Sequence, residues 1–421
     1  MEFFMKIFMF LIMCMIAASA IAAQQAGKHE IQITCSKPDH RFKCGEKVEF
    51  TINSNRKQQL LVRITKDGGK VLLSKKITPP AKVSATLEQP GFLRCMARVK
   101  KVVTYCGAGV EPENIRPVHP KPADFDKFWD EAIAEFHKLP LDLNTVKCPP
   151  FRNLDIYRLD CANVNGKRAY AMLAIPKKHN GKVPLLTIFG GGEAYTSETG
   201  LQGSAVYYNR ILKRPCAVMI FHLPPYPPVK ESKKAKAFHN EFLKKIGYRR
   251  YIIPGLENPK TAYGYSALAG CLRLLHAVAE RPEIDKNNII YTGSSHGGTF
   301  GIYLSACSGL IKAAFCGVPS FCDFAGFTSG RKSLELREAK EHWKNMQYFD
   351  CAYFADRIKN PVYCSAGFID LSCPPSGVYA MYNQLKCPKK MYDKVNHGHS
   401  GGPADYSKSQ LDWLKAQLDR K

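Results

Sequence analysis

A serine hydroxyl becomes a useful nucleophile only when a base can take its proton and a carboxylate holds that base in one tautomer. Three stretches of this chain offer those residue types. The first is Gly293-Ser294-Ser295-His296-Gly297, a G-x-S-x-G pattern. Its spacing asks for small residues two before and two after the serine. A strand there turns sharply into a helix, and a Cβ at either flank would collide across the turn. The context agrees: residues 288–292 read as a short buried strand, and 300–306 as a helix stopping at Gly309. Ser295, not Ser294, is the nucleophile that the pattern selects.

In a strand–turn–helix setting of this kind the partners follow in the order Ser, Asp or Glu, then His. The acid has to leave the end of a strand, and Asp370 does so in Gly367-Phe368-Ile369-Asp370, just past a strand over 361–366. Asp323, Asp350 and Asp356 also follow Ser295, but none directly leaves a strand. A last strand over 390–395 delivers Asn396-His397-Gly398-His399-Ser400-Gly401-Gly402. Either histidine could reach the serine; His399, further into the loop and followed by glycines, is preferred. His296 is not the base, because beside the nucleophile its side chain points away while its backbone N–H faces the developing oxyanion. The second oxyanion donor should come from Gly190-Gly191-Gly192, after a strand over 183–189, with Gly191 the chosen N–H. Acyl transfer by such a set needs no metal and no organic cofactor.

These residues need a scaffold that carries strand ends to one edge. Strands at 183–189, 216–221, 288–292, 361–366 and 390–395 alternate with helical patterns, including 263–280 and a closing helix with Leu411, Trp413, Leu414 and Leu418. That alternation predicts a mostly parallel central sheet covered on both faces, an α/β-hydrolase fold over 122–421. The first helix carries Phe125, Phe128, Trp129, Ala132, Ile133 and Phe136 on one face, a packing stripe. Residues 223–261 form a Pro- and Lys-rich insertion placed to act as a lid or rim. Ahead of this, residues 28–107 alternate as at least six short strands with a hairpin turn at Asp67-Gly68-Gly69. They predict a small immunoglobulin-like β-sandwich, read as a spacer and joined through a linker over 108–121.

The chain has 421 residues, 45% of them hydrophobic, enough for two or three packed units. Lys6, the apolar run 7–16 and the small residues Ala18, Ala20 and Ala22 read as a signal peptide over 1–23, hence a secreted or periplasmic protein. No later run is long enough for a membrane span. The net charge of +25 raises nucleic acid as a partner. Export and the scatter of Lys and Arg argue instead for a basic surface attracted to anionic polysaccharide. Sixteen cysteines, Cys14 among them in the leader, leave an odd number after export. One or two bridges are expected among Cys35, Cys44, Cys95 and Cys106, while Cys216, Cys271 and Cys364 read as buried small hydrophobes.

The residues from about Pro120 onward resemble the acetyl xylan esterase/cephalosporin-C deacetylase family of carbohydrate esterases. The likeness rests on Pro122-Ala-Asp-Phe-Asp-Lys-Phe-Trp-Asp-Glu131, on Arg281-Pro-Glu-Ile-Asp285 with the serine turn, and on Gly317-Val-Pro-Ser-Phe-Cys-Asp323. It rests most of all on the run from Tyr348-Phe-Asp-Cys-Ala-Tyr-Phe-Ala-Asp356 through Gly367-Phe-Ile-Asp-Leu-Ser-Cys-Pro-Pro-Ser376. The resemblance implies an α/β-hydrolase with Ser295, Asp370 and His399 as triad, an acylated carbohydrate as substrate, and assembly into homo-oligomers. Four positions depart from the family pattern: His296 where Gln is usual, His222-Leu-Pro-Pro225 for Arg-Gly-Gln-Gly, Gly191 for an aromatic residue, and Ser400 for Glu. Two other readings share some of these features. One is a peptidase of the prolyl-oligopeptidase type, and the other is a polysaccharide-binding protein without catalysis.

Overall fold

The computed structural model describes residues 30–333 and 337–420; the expected signal segment 1–23 lies outside the described residues. Among those described, no helix is long and apolar enough to cross a membrane.

A nine-stranded sheet forms the body of the molecule. From one edge the strands run Lys389–Lys394, Val362–Gly367, Ile311–Gly317, Ile284–Ser294, Val183–Phe189 and Ala217–His222, each parallel to its neighbour. Arg168–Pro176, Leu154–Ala162 and Asn144–Phe151 then extend the sheet antiparallel. The mostly parallel sheet is therefore as expected, with an antiparallel flank that the hydrophobic pattern did not separate. The outermost strand is largely exposed and carries Pro149 and Pro150, composition suited to an edge and weak as a strand signal.

Apart from the edge strand Lys389–Lys394, the parallel strands are largely buried on both faces, which is why they read as continuous apolar runs. On one face pack the helices Phe125–Lys138, Tyr263–Ala279 and His296–Cys307, whose Trp129, Leu268, Phe300 and Tyr303 share one core with Leu185 and Tyr291 of the sheet. On the other, Leu201 and Ala205 of Glu198–Leu212 and Leu414 and Leu418 of Tyr406–Asp419 meet Leu186, Ile290 and Phe315. The strand Ile284–Ser294 sits near the middle of the sheet, so its C-terminal end is held from both sides.

The N-terminal unit is a β-sandwich. Three strands (Ile31–Cys35, Val48–Ser54, Ala81–Ala85) face five, which include Gly91–Val99 and Val102–Val110, over a core of Phe50, Ile52, Val62, Ile64 and Leu93. The expected bridges are not formed: Cys35, Cys44, Cys95 and Cys106 are all free thiols. Cys95 and Cys106 lie opposite each other across two strands and serve as small core residues, and burial pushes the Cys95 thiol up to about 12.

The sandwich does more than space the chain. Phe92 packs edge-on to Phe368 with ring centroids 4.8 Å apart and lies 5.5 Å from Tyr379. Arg41 Nη2 donates to Asp393 Oδ2 and to the Tyr379 hydroxyl, both at 2.7 Å. The buried Asp67 carboxylate accepts a hydrogen bond of 2.5 Å from the Ser376 hydroxyl. A Cβ on Gly68 of the hairpin turn would run into Leu371. All these contacts fall on the segments around Asp370 and on the last strand. Replacing Phe92 by alanine should cost about 3–5 kcal/mol, the range for emptying a buried aromatic site. Chemical denaturation should show the sandwich and the large sheet still unfolding in one transition at the lower midpoint.

Candidate active site

The elbow strand ends at Ser294, the helix begins at His296, and Ser295 alone makes the turn with φ 60° and ψ −123°. A non-glycine residue in that region is strained by roughly 1–3 kcal/mol and persists only where its surroundings over-determine it. They do so here. The Ser295 N–H donates to Gly317 O at 2.9 Å, and Ser295 O accepts from Thr299 N at 3.1 Å and Ser320 N at 3.2 Å. The flanking glycines are sterically required. A Cβ on Gly293 would lie 2.7 Å from the Gly297 carbonyl group, and one on Gly297 would collide with Phe189 O. The Tyr291 hydroxyl closes the turn by donating to Gly297 O at 2.5 Å. The helix starts earlier than the sequence reading placed it, because Gly297 and Gly298 lie in its first turn.

His399 Nδ1 donates to Asp370 Oδ2 at 2.9 Å. The other Asp370 oxygen accepts from the backbone N–H groups of Ser372 at 2.8 Å and Cys373 at 3.0 Å, so this fully buried carboxylate is satisfied on both sides. The proton on Nδ1 leaves Nε2 as the basic nitrogen. Ser295 and His399 line one cavity of about 390 Å³ without a direct hydrogen bond between them, and the Cys373 thiol lies against the serine hydroxyl. Nucleophile–base pairs of this kind tighten when substrate is bound.

The other candidates do not meet Ser295 in this way. His397 has a buried Nδ1 without a hydrogen bond, and burial lowers its pKa. Asp350 accepts from the N–H groups of Asp323 and Ala352 at 2.9 Å and from that of Phe324, and burial pushes its carboxyl up to about 7. Asp323 holds Arg331 at 2.7 Å and Asp356 holds Lys121 at 2.9 Å. These acids fix loops around the site and do not face His399.

His296 is the first residue of the helix, and its side chain differs from the expectation. Its N–H opens the helix, where backbone donors have no intrahelical partner and favour developing negative charge. Its imidazole does not simply point away: it is buried beneath the glycine loop and Nδ1 donates to Gly192 O at 2.7 Å. Burial lowers its pKa to about 4, so it is a neutral tether. Gly191 lies over the nucleophile, where an added Cβ would sit 3.6 Å from Ser295 Cβ. His222, another departure from the family pattern, supports the same loop by accepting from Thr196 N at 2.9 Å.

Sequence reasoning missed several residues. Arg250 and Ile252, from the insertion, line the cavity, as do Ser320, Phe321 and Cys373. Cys373, in the Cys-Pro-Pro-Ser run after Asp370, and Ser320 and Phe321, in the 317–323 motif, carried a signal as parts of the family resemblance; Arg250 and Ile252 carried none. Lys394 was also missed. This lysine is 1% exposed and its ammonium donates to the carbonyls of Gly398, His399 and Gly401 at 3.1, 3.3 and 2.9 Å. It gathers the loop that carries the base. Among the described residues one set of potential metal donors converges, Asp370, Cys373 and His399, with ligand atoms within 4.8 Å of one another. Two of the three already form the acid–base pair, so an ion there would remove the base.

Residues 111–417 match the family profile described as acetyl xylan esterase (AXE1). Acetyl esterase Axe7A of Xylanibacter ruminicola is 26% identical over 345 residues, which span 79% of this chain and 76% of the relative. The acetyl xylan esterase from Paenibacillus sp. R4 superposes with a TM-score of 0.59 at 22% identity, covering 73% of this chain and 98% of the other. Acetyl xylan esterase 1 from Thermoanaerobacterium sp. JW/SL YS485 gives a TM-score of 0.59 at 20% identity with the same coverage, 73% and 98%. At these identities the two structures establish a shared fold.

Two substitutions test the geometry. Gly297→Ala should prevent the elbow from closing, and its soluble yield should collapse relative to wild type. Lys394→Met keeps the length of the side chain but removes the buried ammonium that binds the Gly398, His399 and Gly401 carbonyls in three part-buried hydrogen bonds. Its thermal midpoint should fall, and ester turnover of the remaining folded protein should drop at least about tenfold with KM little changed.

Proposed function

From the premise that the chain belongs to the acetyl xylan esterase family, we propose that it is a serine carboxylesterase that removes acetyl or another small acyl group from a carbohydrate. The observation that carries the serine mechanism is the 2.9 Å contact between His399 Nδ1 and Asp370 Oδ2, with His399 on the same cavity wall as Ser295. Ser295 Oγ attacks the ester carbonyl while His399 Nε2 takes its proton. The carbonyl oxygen becomes an oxyanion held by the N–H groups of His296 and Gly191. Collapse breaks the ester C–O bond, and the imidazolium returns the proton to the departing sugar oxygen. Water, deprotonated by His399, then attacks the acyl-enzyme and releases the acid with Ser295 restored. Asp370 keeps the imidazole in the Nδ1–H tautomer and stabilises the imidazolium. Each oxyanion donor contributes about 3–4 kcal/mol of transition-state stabilisation.

The departures at His296, His222 and Gly191 lie around the oxyanion loop, so they reshape the acyl and sugar pocket and leave the proton path intact. Lys6 followed by the apolar run 7–16 supports export, so the substrate is met outside the cytoplasm. The test is a panel of p-nitrophenyl acetate and acetylated oligosaccharides assayed with wild type and Ser295→Ala. Acetate release by wild type should fall by at least about a thousandfold in the variant, with an unchanged thermal midpoint. Equal turnover in a folded Ser295→Ala protein would refute the nucleophile, and failure on every acetylated sugar would refute the substrate class.

A further inference from the structure

Among the described residues, Arg250 is the one arginine or lysine lining the cavity that contains Ser295 and His399. It comes from the insertion, downstream of the helix Ser232–Ile246, and its side chain is 35% exposed. Its Nε donates to Glu193 Oε1 at 2.8 Å. Glu193, the residue after the glycine loop, is itself well held, with its other oxygen accepting from Tyr251 N at 2.7 Å. Burial opposes ionisation of Glu193, yet the hydrogen bonds from Arg250 and the Tyr251 N–H, with His239 Nε2 3.6 Å away, keep its carboxyl down to about 2. The guanidinium is therefore gripped at one nitrogen and fixed in orientation. A guanidinium has five N–H donors. The four on Nη1 and Nη2 have no hydrogen-bonding partner among the described residues.

An oriented fork with both outer nitrogens unused is the arrangement that receives a planar anion, a carboxylate above all, through two parallel charge-assisted hydrogen bonds. The walls beside it are Ile252, Phe321 and Leu371, so a contact made there is partly shielded from water. A neutral acetylated sugar does not require such a group. The net charge of +25 points the same way, since it draws polyanions toward the surface.

We infer that Arg250 is a specificity residue and that the preferred ester substrate carries a carboxylate, as an acylated uronic-acid sugar does. This rests on the esterase reading of Ser295, Asp370 and His399 given above. The carboxylate could belong to the sugar or to the acyl group, and the two sources are separable because each can be varied alone.

The experiment compares kcat/KM for an acetylated uronate glycoside with that for the same compound as its neutral 6-amide. A second pair, p-nitrophenyl hydrogen succinate and p-nitrophenyl butyrate, varies charge on the acyl side. Wild type should favour the anionic member of at least one pair by about tenfold or more, as charge-assisted pairs do, and added NaCl should erode that preference. The pair that shows it identifies the source. In Arg250→Gln the ratio should fall to near one, and in Arg250→Lys to an intermediate value, because the charge remains and the fork is lost. Equal rates on both members of both pairs in wild type would overturn the inference. So would an Arg250→Gln protein that loses both members of a pair in equal proportion, since Arg250 would then serve only to hold Glu193 and the glycine loop. Either result leaves the esterase reading standing if the neutral amide and p-nitrophenyl acetate are still hydrolysed. Loss of all hydrolysis in wild type would instead remove the reading on which the inference rests.

Discussion

Everything at this site depends on one steric constraint: a single non-glycine residue, Ser295, occupies a left-handed backbone conformation between a strand and a helix. The turn is so tight that neither Gly293 nor Gly297 has room for a Cβ. In return the hydroxyl stands at the end of a central strand, and the next N–H begins a helix. The strain is held by the sheet on either side, through Gly317 and Phe189, and by backbone bonds to Thr299 and Ser320. A parallel sheet buried on both faces supplies the rigidity that this conformation needs.

Around the elbow, each reacting group is positioned by a second group that does no chemistry. Asp370 is held by two backbone N–H groups and holds His399 in turn. Lys394 gathers three carbonyls of the loop that carries His399. His296 begins the helix after Ser295, and its imidazole holds Gly192 from beneath. Buried polar groups of this kind are stable only when fully partnered, and a satisfied network then specifies one arrangement of the loops. Two of the positions where the chain departs from the family pattern, His296 and His222, belong to this supporting layer through their bonds to Gly192 O and Thr196 N.

The β-sandwich is part of that support. Its Phe92 packs on Phe368, two residues before Asp370, and its hairpin turn lies against Leu371. Arg41 reaches Asp393 on the strand that leads into the base loop. The acid and base loops of the hydrolase sheet are thus packed from below by a separate unit, while the insertion closes the cavity from another side with Arg250 and Ile252.

By itself the sequence determined the elements and the order of the reacting groups. Small residues around Ser295, an acid leaving a strand at Asp370 and a histidine past the last strand are local requirements, readable wherever the chain must turn or stop. The apolar runs of buried parallel strands are legible for the same reason. Tertiary structure alone decided what distant segments do to one another. Asp350 and Asp323 fit the chain order as well as other acids do, and only packing shows them holding loops. Of His399 and His397, which the sequence leaves close, it is the His399 ring that meets Asp370. Lys394, Arg250 and the contact of Phe92 with Phe368 left no local trace, because a buried lysine or a cavity-lining arginine has the same sequence signature as a solvated one. Cys95 and Cys106 show the converse: their count and an exported chain suggested bridges, while close packing uses them as small hydrophobes. Local sterics and periodicity are written along the chain; burial, orientation and partnership arise only when remote segments share one space.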